Sequence, residues 1–231
     1  GQAQADLNRL MDGTFSNQEA GMPEGTVHSE LLRRPGKLYV LASHFHPDHF
    51  NKEVLQWREQ RPDIIYIFSK DILRHRRAQK EDAVWLKKGE EYKDETLSVR
   101  AFGSTDVGVS FLLQAGGKKI FHAGDLNNWH WMDESTEAEW KGAEKNFLHE
   151  LDDLYAYTPE VDVAMFPVDP RLGKEYMRGA GQFVTKIKTH IFVPMHFTPE
   201  YAKANAFRDF AEAHGVRFVS LTHRGQKIEI E

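Results

Sequence analysis

Short, almost continuous apolar runs constrain the fold of this chain more than any other feature. The chain contains four of them, at residues 38–43, 63–69, 161–167 and 190–194. Such runs are typical of strands that are buried on both faces. Three further strands are predicted at residues 97–102, 109–114 and 118–123, with a hairpin turn at 115–117 between the last two.

Amphipathic stretches between these runs predict helices. They cover residues 51–61, 70–79, 136–157, 179–189 and 198–215. The longest begins with a T-x-x-E capping box at Thr136, and the last with an N-cap at Thr198 followed by Pro199. Two closing strands are expected at 216–221 and 226–231. Grouped strands with helices between some of them predict an α/β (α+β) fold with mixed sheets covered by helices.

Composition narrows the possible chemistry. The 231 residues have a net charge of −5 and no cysteine, so disulfides, thiol nucleophiles and cysteine-bound metals are excluded. Twelve histidines and the carboxylates remain as metal ligands. The negative charge argues against nucleic acid as a partner. No signal-like or membrane-spanning segment is recognised, and no linker or repeat divides the chain. We therefore expect one cytoplasmic domain over 1–231, away from membranes.

A histidine cluster follows the first buried strand. It contains His44, His46, Asp48 and His49 within six residues. In extended backbone His44 and His46 point the same way, and Pro47 then forces a turn that can bring the next two residues round. This pattern predicts a metal site, and the alternative is a polar loop that happens to be rich in histidine.

The cluster resembles the H-x-H-x-D-H signature of the metallo-β-lactamase superfamily. The resemblance continues at residues 119–125, a strand that ends in Gly-Asp, and at 193–197, a strand that ends in a histidine. It implies a four-layer αββα sandwich, with two mixed β-sheets and helices on the outer faces, and two divalent metal ions. The implied ligands are His44, His46 and Asp125 for the first ion, and Asp48, His49, Asp125 and His196 for the second. Asp48 and Asp125 are the implied catalytic residues.

One departure from the family affects the first metal. The family supplies a third histidine about twenty residues before the bridging aspartate, whereas residues 101–106 here contain none. Either Asp106 substitutes with an oxygen, or the site has one protein ligand fewer. The two ions are expected to be Zn²⁺, with Mn²⁺ as an alternative, and the first site could be weak or empty. A second departure lies at residues 1–30, where the opening strand hairpin of the family is not recognised, so this start is expected to be atypical or incomplete.

The resemblance implies a hydrolase that uses a metal-bound hydroxide on a small, possibly anionic, ester, lactone or phosphodiester. Within the superfamily, the branch that contains the phosphorylated-ascorbate lactonase is the most similar. The alternative is a metal-binding protein of the same fold without hydrolytic activity. Di-iron redox relatives usually carry glutamate at the position of His46, which favours hydrolysis. A basic segment at 70–80 could contact RNA but is more typical of a solvated face.

Residues near the implied site suggest further roles. Trp129 and Trp131 could line an apolar pocket, and His130 could be an extra ligand or an acid. Asp169 and Arg171 follow a strand end on the same rim and could bind substrate. Arg171 could bind an anionic group or form a surface salt bridge instead. His122 is expected to support the site or pack in the core. Gly179 and Gly181 match only half of a dinucleotide-binding fingerprint. The oligomeric state is not predicted.

Overall fold

The computed structural model describes residues 26–27 and 29–230, which form two compact units. Unit 1 contains the described residues up to Leu86 together with 222–230, and unit 2 contains Lys87–Leu221. Residues 1–25, most of the start that the sequence marks as atypical, lie outside the described part. A single domain over the whole chain stays a prediction.

Unit 1 is built on a parallel sheet of three strands in the order β1-β2-β3. Its elements are α1 (Ser29–Leu32), β1 (Tyr39–Ala42), a 3-10 helix (Lys52–Glu59), β2 (Ile65–Ser69), α2 (Lys70–Arg74), a 3-10 helix (Lys80–Asp82) and β3 (Val84–Leu86). Its core contains buried aromatic residues, among them Phe50, Trp57 and Phe68, together with Val40 and Ala42 of β1. This core fixes the end of β1, where the histidine cluster begins.

Two helices of unit 1 differ from their predicted form. The predicted helix at 51–61 is a 3-10 helix over Lys52–Glu59, capped by the Asn51 side chain, which accepts from the Glu53 backbone N–H. The predicted helix at 70–79 is limited to Lys70–Arg74. It ends there because the chain turns at Arg76, whose φ of 54° is left-handed.

Unit 2 is built on a mixed sheet of seven strands in the order β10-β9-β8-β7-β6-β5-β4. Its strands are β4 (Glu91–Lys93), β5 (Ser98–Phe102), β6 (Ser110–Ala115), β7 (Lys118–His122), β8 (Glu160–Pro167), β9 (Lys188–Met195) and β10 (Arg217–Phe218). Its helices are α3 (Glu137–Tyr157), a 3-10 helix (Pro170–Leu172), α4 (Arg178–Lys186), α5 (Tyr201–Asn205) and α6 (Arg208–Ala213). Strands β7 to β10 are parallel, and β4 to β7 are antiparallel.

Local sequence signals determine several elements of unit 2. Gly116 and Gly117, with φ of 56° and 75°, form the predicted hairpin turn, a conformation that glycine adopts without steric cost. The side chains of Thr136 and Glu139 form the predicted capping box at the start of α3. The core of the unit contains buried phenylalanines from the sheet and from α3 and α4, among them Phe121, Phe147, Phe166 and Phe183.

Several predicted elements near the carboxyl end are wrong. The predicted helix at 198–215 begins only at Tyr201, because Thr198 has a left-handed φ of 50° and does not cap it. It is interrupted between α5 and α6, where fully buried Phe207 packs against Phe192. Residues 226–230 form no strand, and the strand at 216–221 is limited to β10. Strand β9 begins two residues earlier than predicted, and β3 and β4 were not predicted.

The predicted fold class is confirmed as a mixed α/β architecture with two sheets and helices. The sheet of unit 2 is mixed as expected, whereas the described strands of the unit 1 sheet are all parallel. Among the described residues, no helix is both long enough and apolar enough to cross a membrane.

Candidate metal centre

In unit 1 the three imidazoles of the motif lie close together. His44 follows β1 directly and is fully buried, with Nδ1 2.9 Å from the Ser43 hydroxyl oxygen. Its ring centroid lies 4.8 Å from that of His46 and 4.0 Å from that of His49. The sequence motif thus forms a compact cluster of nitrogen donors at the end of a buried strand.

Backbone hydrogen bonds form the turn that brings His49 back beside His44. The carbonyl of His46 accepts from the backbone N–H groups of His49, at 2.9 Å, and Phe50, at 2.8 Å. The Asp48 carboxylate lies 3.4 Å from Nε2 of His49 and is 67% exposed. Pro47 therefore produces the turn that the sequence predicts, and Asp48 stays accessible to solvent.

Helix α2 supports this loop through a residue that sequence reasoning missed. The carboxylate of Asp71, which is buried, accepts a 2.9 Å hydrogen bond from the Phe45 backbone N–H. The Phe45 ring stacks on His75 with centroids 3.6 Å apart. These contacts hold the peptide between His44 and His46. From the sequence, residues 70–80 are interpreted as a solvated basic face, and this composition does not indicate a role in supporting the loop.

In unit 2 three polar side chains follow the ends of neighbouring parallel strands. Asp125 follows β7, Asp169 follows β8 and His196 follows β9. The carboxyl ends of neighbouring parallel strands share one edge of a sheet, which is where ligands bind in open α/β sheets. The Nε2 atom of His196 lies 3.2 Å from Oδ1 of Asp125, and its Nδ1 lies 2.9 Å from Oδ2 of Asp169.

Both carboxylates change the electrostatics of His196. Burial alone would lower the pKa of His196, but hydrogen bonds to Asp125 and Asp169 and their charges outweigh it and raise the pKa to about 10. Burial alone would raise the pKa of Asp169, but hydrogen bonds from His196 and Arg171 lower it to about 2. This strand edge therefore carries strongly interacting charges.

Arg171 forms an ion pair within its own loop. Its Nε lies 3.0 Å from Oδ1 of Asp169, and its Nη2 lies 2.6 Å from Oδ2. The sequence left open an anion-binding role or a salt bridge, and the structure shows a salt bridge to Asp169. Asp169 also contacts His196, whose Nδ1 lies 2.9 Å from Oδ2 of Asp169.

Asp106 lies near Asp125 within unit 2. One carboxylate oxygen of Asp106 lies within 4.8 Å of one of Asp125, and Asp106 is exposed. This proximity is compatible with the expectation that Asp106 supplies an oxygen ligand in place of the missing histidine. That role stays a prediction.

Two other candidate histidines make internal hydrogen bonds. Nδ1 of His122 accepts from the Gly124 backbone N–H at 3.1 Å. Buried His130 accepts at Nδ1 from the Met132 N–H, at 3.0 Å, and its Nε2 lies 2.9 Å from the Glu175 carbonyl oxygen. Both ring nitrogens of His130 are therefore occupied, and it shapes the loop rather than offering a lone pair to a metal.

The two predicted tryptophans lie beside Asp125 and His196. The indole N–H of Trp129 donates to the Asp125 carbonyl at 2.7 Å, and its ring centroid lies 5.4 Å from that of His196. Trp131 stacks on Trp129 at 6.2 Å. Both tryptophans are partly exposed, so they form an aromatic surface next to Asp125 and His196.

A buried polar network, which sequence reasoning missed, anchors the loop after Asp125. Asn128 is fully buried, and its side-chain amide donates to Glu144 and to Gln182, each at 2.9 Å. Arg178 donates to Glu144 at 2.5 Å. The hydrogen bond from Arg178, with others from Gln182 and Asn128, lowers the pKa of Glu144 to about 2 against the effect of burial. The sequence feature that could have indicated this contact is the run of small residues at 179–181, because glycine lets a helix approach a neighbouring loop closely.

The donor chemistry of both units fits divalent transition metals. Unit 1 offers imidazole nitrogens with a nearby carboxylate, and unit 2 offers carboxylate oxygens with one imidazole. Imidazole and carboxylate are ligands of Zn²⁺, Mn²⁺ and iron, and sulfur ligands from cysteine are absent from the sequence. These residues are therefore candidate metal ligands.

A comparison with models of known protein families shows which family this chain belongs to. The family model described as "Beta-lactamase superfamily domain" matches residues 28–197, which include every proposed metal ligand. This chain belongs to the β-lactamase superfamily. No curated protein matches the chain.

Several solved structures are similar to this chain in fold. Igni18, a metallo hydrolase from Ignicoccus hospitalis, has 16% identity and a TM-score of 0.56, over 83% of this chain and 78% of its own. YhfI from Bacillus subtilis, a metallo-β-lactamase fold protein, has 14% identity and a TM-score of 0.54, over 83% and 78%. CmlA, a diiron β-hydroxylase from Streptomyces venezuelae, has 14% identity and a TM-score of 0.54, over 82% and 45%. At these identities the likeness shows the fold alone.

Proposed function

We propose that this chain is a metal-dependent hydrolase of a small-molecule substrate. The observation that carries the proposal is the cluster of three imidazoles in the superfamily motif at the end of β1. The proposed metal ligands are His44, His46, Asp48, His49, Asp125 and His196, with Asp106 as a further oxygen ligand. Two divalent ions are proposed, Zn²⁺ or Mn²⁺.

Divalent ions, when bound, lower the pKa of water and polarise the scissile carbonyl or phosphoryl group. The residues of this chain hold and orient the reactants. The proposed acceptor of a proton from water is Asp48, which is exposed beside His49. Asp125 is buried, and its loop is stabilised by the hydrogen bond that the Trp129 indole N–H donates to the Asp125 carbonyl.

The proposed substrate is a small ester, lactone or phosphodiester. The aromatic surface of Trp129 and Trp131 would pack against an apolar part of it, which supports a substrate contact for both residues. The sequences around His122, Asp125 and His196 support the branch that resembles the phosphorylated-ascorbate lactonase. Of the similar structures, Igni18 is a metallo hydrolase and CmlA a diiron β-hydroxylase, and the histidine at position 46 favours hydrolysis.

Turnover measurements on Asp125→Asn test this proposal. We expect protein reconstituted separately with Zn²⁺ and Mn²⁺ to hydrolyse at least one member of an ester, lactone and phosphodiester panel. Asp125→Asn should lower kcat/KM at least 100-fold, on the order of the loss when a group that stabilises the transition state is removed. Asp209→Asn, an exposed aspartate of α6, is the matched control and should keep wild-type turnover.

The alternative function has a distinct signature. A metal-binding protein with an incomplete first site would bind at most one equivalent of metal and would hydrolyse none of the panel. Equal turnover of Asp125→Asn and Asp209→Asn would also contradict the proposal, because the measured activity would then arise elsewhere.

A further inference from the structure

We infer that Asp169 and Arg171 are positioning residues that fix the ring of His196 for metal binding. The inference rests on the proposed function, because it assigns a role toward the metal that His196 would hold. It replaces the substrate contacts that the sequence suggested for Asp169 and Arg171. The three side chains form a continuous hydrogen-bonded chain within unit 2.

The Asp169 carboxylate is held in one orientation from several sides. Its side chain is fully buried and accepts from Nδ1 of His196 at 2.9 Å. Its Oδ1 also accepts from the Arg171 backbone N–H, at 3.0 Å, which caps the 3-10 helix at Pro170–Leu172. A buried charge is retained only when such partners compensate for its lost hydration. Asp169 is therefore a rigid support.

This arrangement directs one ring nitrogen of His196 toward Asp125, which is another proposed metal ligand. Because Nδ1 bonds to Asp169, Nε2 is the atom directed toward Asp125, at 3.2 Å from Oδ1. The His196 backbone has a left-handed φ of 60°, which is uncommon outside glycine. The backbone conformation sets the direction of the His196 side chain, and the hydrogen bond to Asp169 fixes the orientation of its ring. Ligating histidines commonly use their second ring nitrogen in this way.

Arg171 completes the support from outside. Its guanidinium contacts both oxygens of Asp169, and its side chain is 56% exposed. The two-pronged geometry fixes the carboxylate plane as well as its charge. Lysine could supply the charge but not this geometry.

Co²⁺ binding tests the inference, because Co²⁺ reports ligand geometry through its visible absorption without any substrate. We expect Asp169→Asn to weaken binding of one Co²⁺ equivalent by about 10–100-fold, the usual effect of losing such a support. The absorption spectrum should also change. Arg171→Gln should weaken binding in the same direction by a smaller factor, with partial recovery in Arg171→Lys. Arg208→Gln, which removes an exposed pair with Glu212, is the control and should match the wild type.

The outcomes separate the inference from the proposed function. If His196→Ala loses one Co²⁺ but Asp169→Asn and Arg171→Gln bind it with wild-type affinity and spectrum, the inference is wrong and the proposed metal site stands. If the wild type binds no Co²⁺, both are wrong. Should Asp169→Asn fail to fold, Arg171→Gln decides, because its side chain is half exposed.

Discussion

We expect the imidazole of His46 to contribute to metal binding rather than to structural support. The turn after it depends on the backbone carbonyl of His46, which accepts from His49 and Phe50. Its ring is only partly buried and contacts the rings of His44 and Phe45. Removing the ring therefore leaves the hydrogen bonds of the turn intact.

We expect His46→Ala to lower Zn²⁺ affinity at least tenfold while the metal-free protein loses no more than about 1 kcal/mol of stability. Competition with a chromophoric chelator measures the affinity, and thermal unfolding in EDTA measures the stability. His149→Ala, an exposed histidine of α3, is the control. A large drop in Tm of the metal-free variant would show that His46 is structural instead.

The motif residues could be predicted because they are neighbours in the sequence. Strand period and the turn at Pro47 are local properties, and they suffice to group His44, His46 and His49. The contact between Asp169 and His196 could not be predicted in the same way. It depends on β8 and β9 being adjacent, and periodicity does not specify the order of strands in a sheet.

At the scale of elements, α4 holds the loop that follows β7. Gly179 lies in the first turn of α4, and a Cβ there would come within 2.0 Å of Oδ1 of Asn127 and 3.0 Å of the Asn128 backbone nitrogen. Only glycine permits this approach without displacing the loop. The glycines that match half of a dinucleotide fingerprint thus have a packing role.

Two glycine-to-alanine changes should have opposite effects on stability. Gly179→Ala should destabilise the protein by about 1–3 kcal/mol, because the loop after Asp125 must move. Gly142→Ala, in α3, meets nothing within 4 Å and should stabilise by up to about 1 kcal/mol through helix propensity. Denaturant unfolding of both variants measures the difference. Equal effects of the two changes would mean that the Asn127 contact does not constrain α4.

Elements with strong local signals were predicted well, and those that depend on packing were not. The hairpin at 115–117 and the cap at Thr136 follow from glycine and from the capping box. The break between α5 and α6 coincides with the burial of Phe207 against the sheet, which no local pattern indicates. The short strands β3 and β4 pair at the edges of their sheets and lack a long apolar run.

At the scale of the whole molecule, the buried network around Glu144 makes stability depend on pH. The pKa of Glu144 is lowered from 4.5 to about 2 in the folded state, first by the hydrogen bond from Arg178. A lowered pKa contributes stability above the unfolded value of 4.5, and this contribution is lost as the pH falls toward 2.

We therefore expect Glu144→Gln to reduce the loss of stability between about pH 5 and pH 2, with a cost of about 1–3 kcal/mol at neutral pH. Urea unfolding across this pH range measures both effects. Glu137→Gln, which removes an exposed pair with Lys141, is the control and should follow the wild-type curve. If Glu144→Gln also follows that curve, the hydrogen bonds to Glu144 do not lower its pKa in the folded protein as the structure indicates.

The number of metal ions bound per chain tests the central claim most directly. Equilibrium dialysis against Zn²⁺, followed by elemental analysis, should give two equivalents for the wild type. His44→Ala in unit 1 and Asp125→Asn in unit 2 should each retain fewer, while His149→Ala retains two. A wild-type chain that retains no Zn²⁺, or variants that both retain two, would contradict the assignment of these residues as metal ligands.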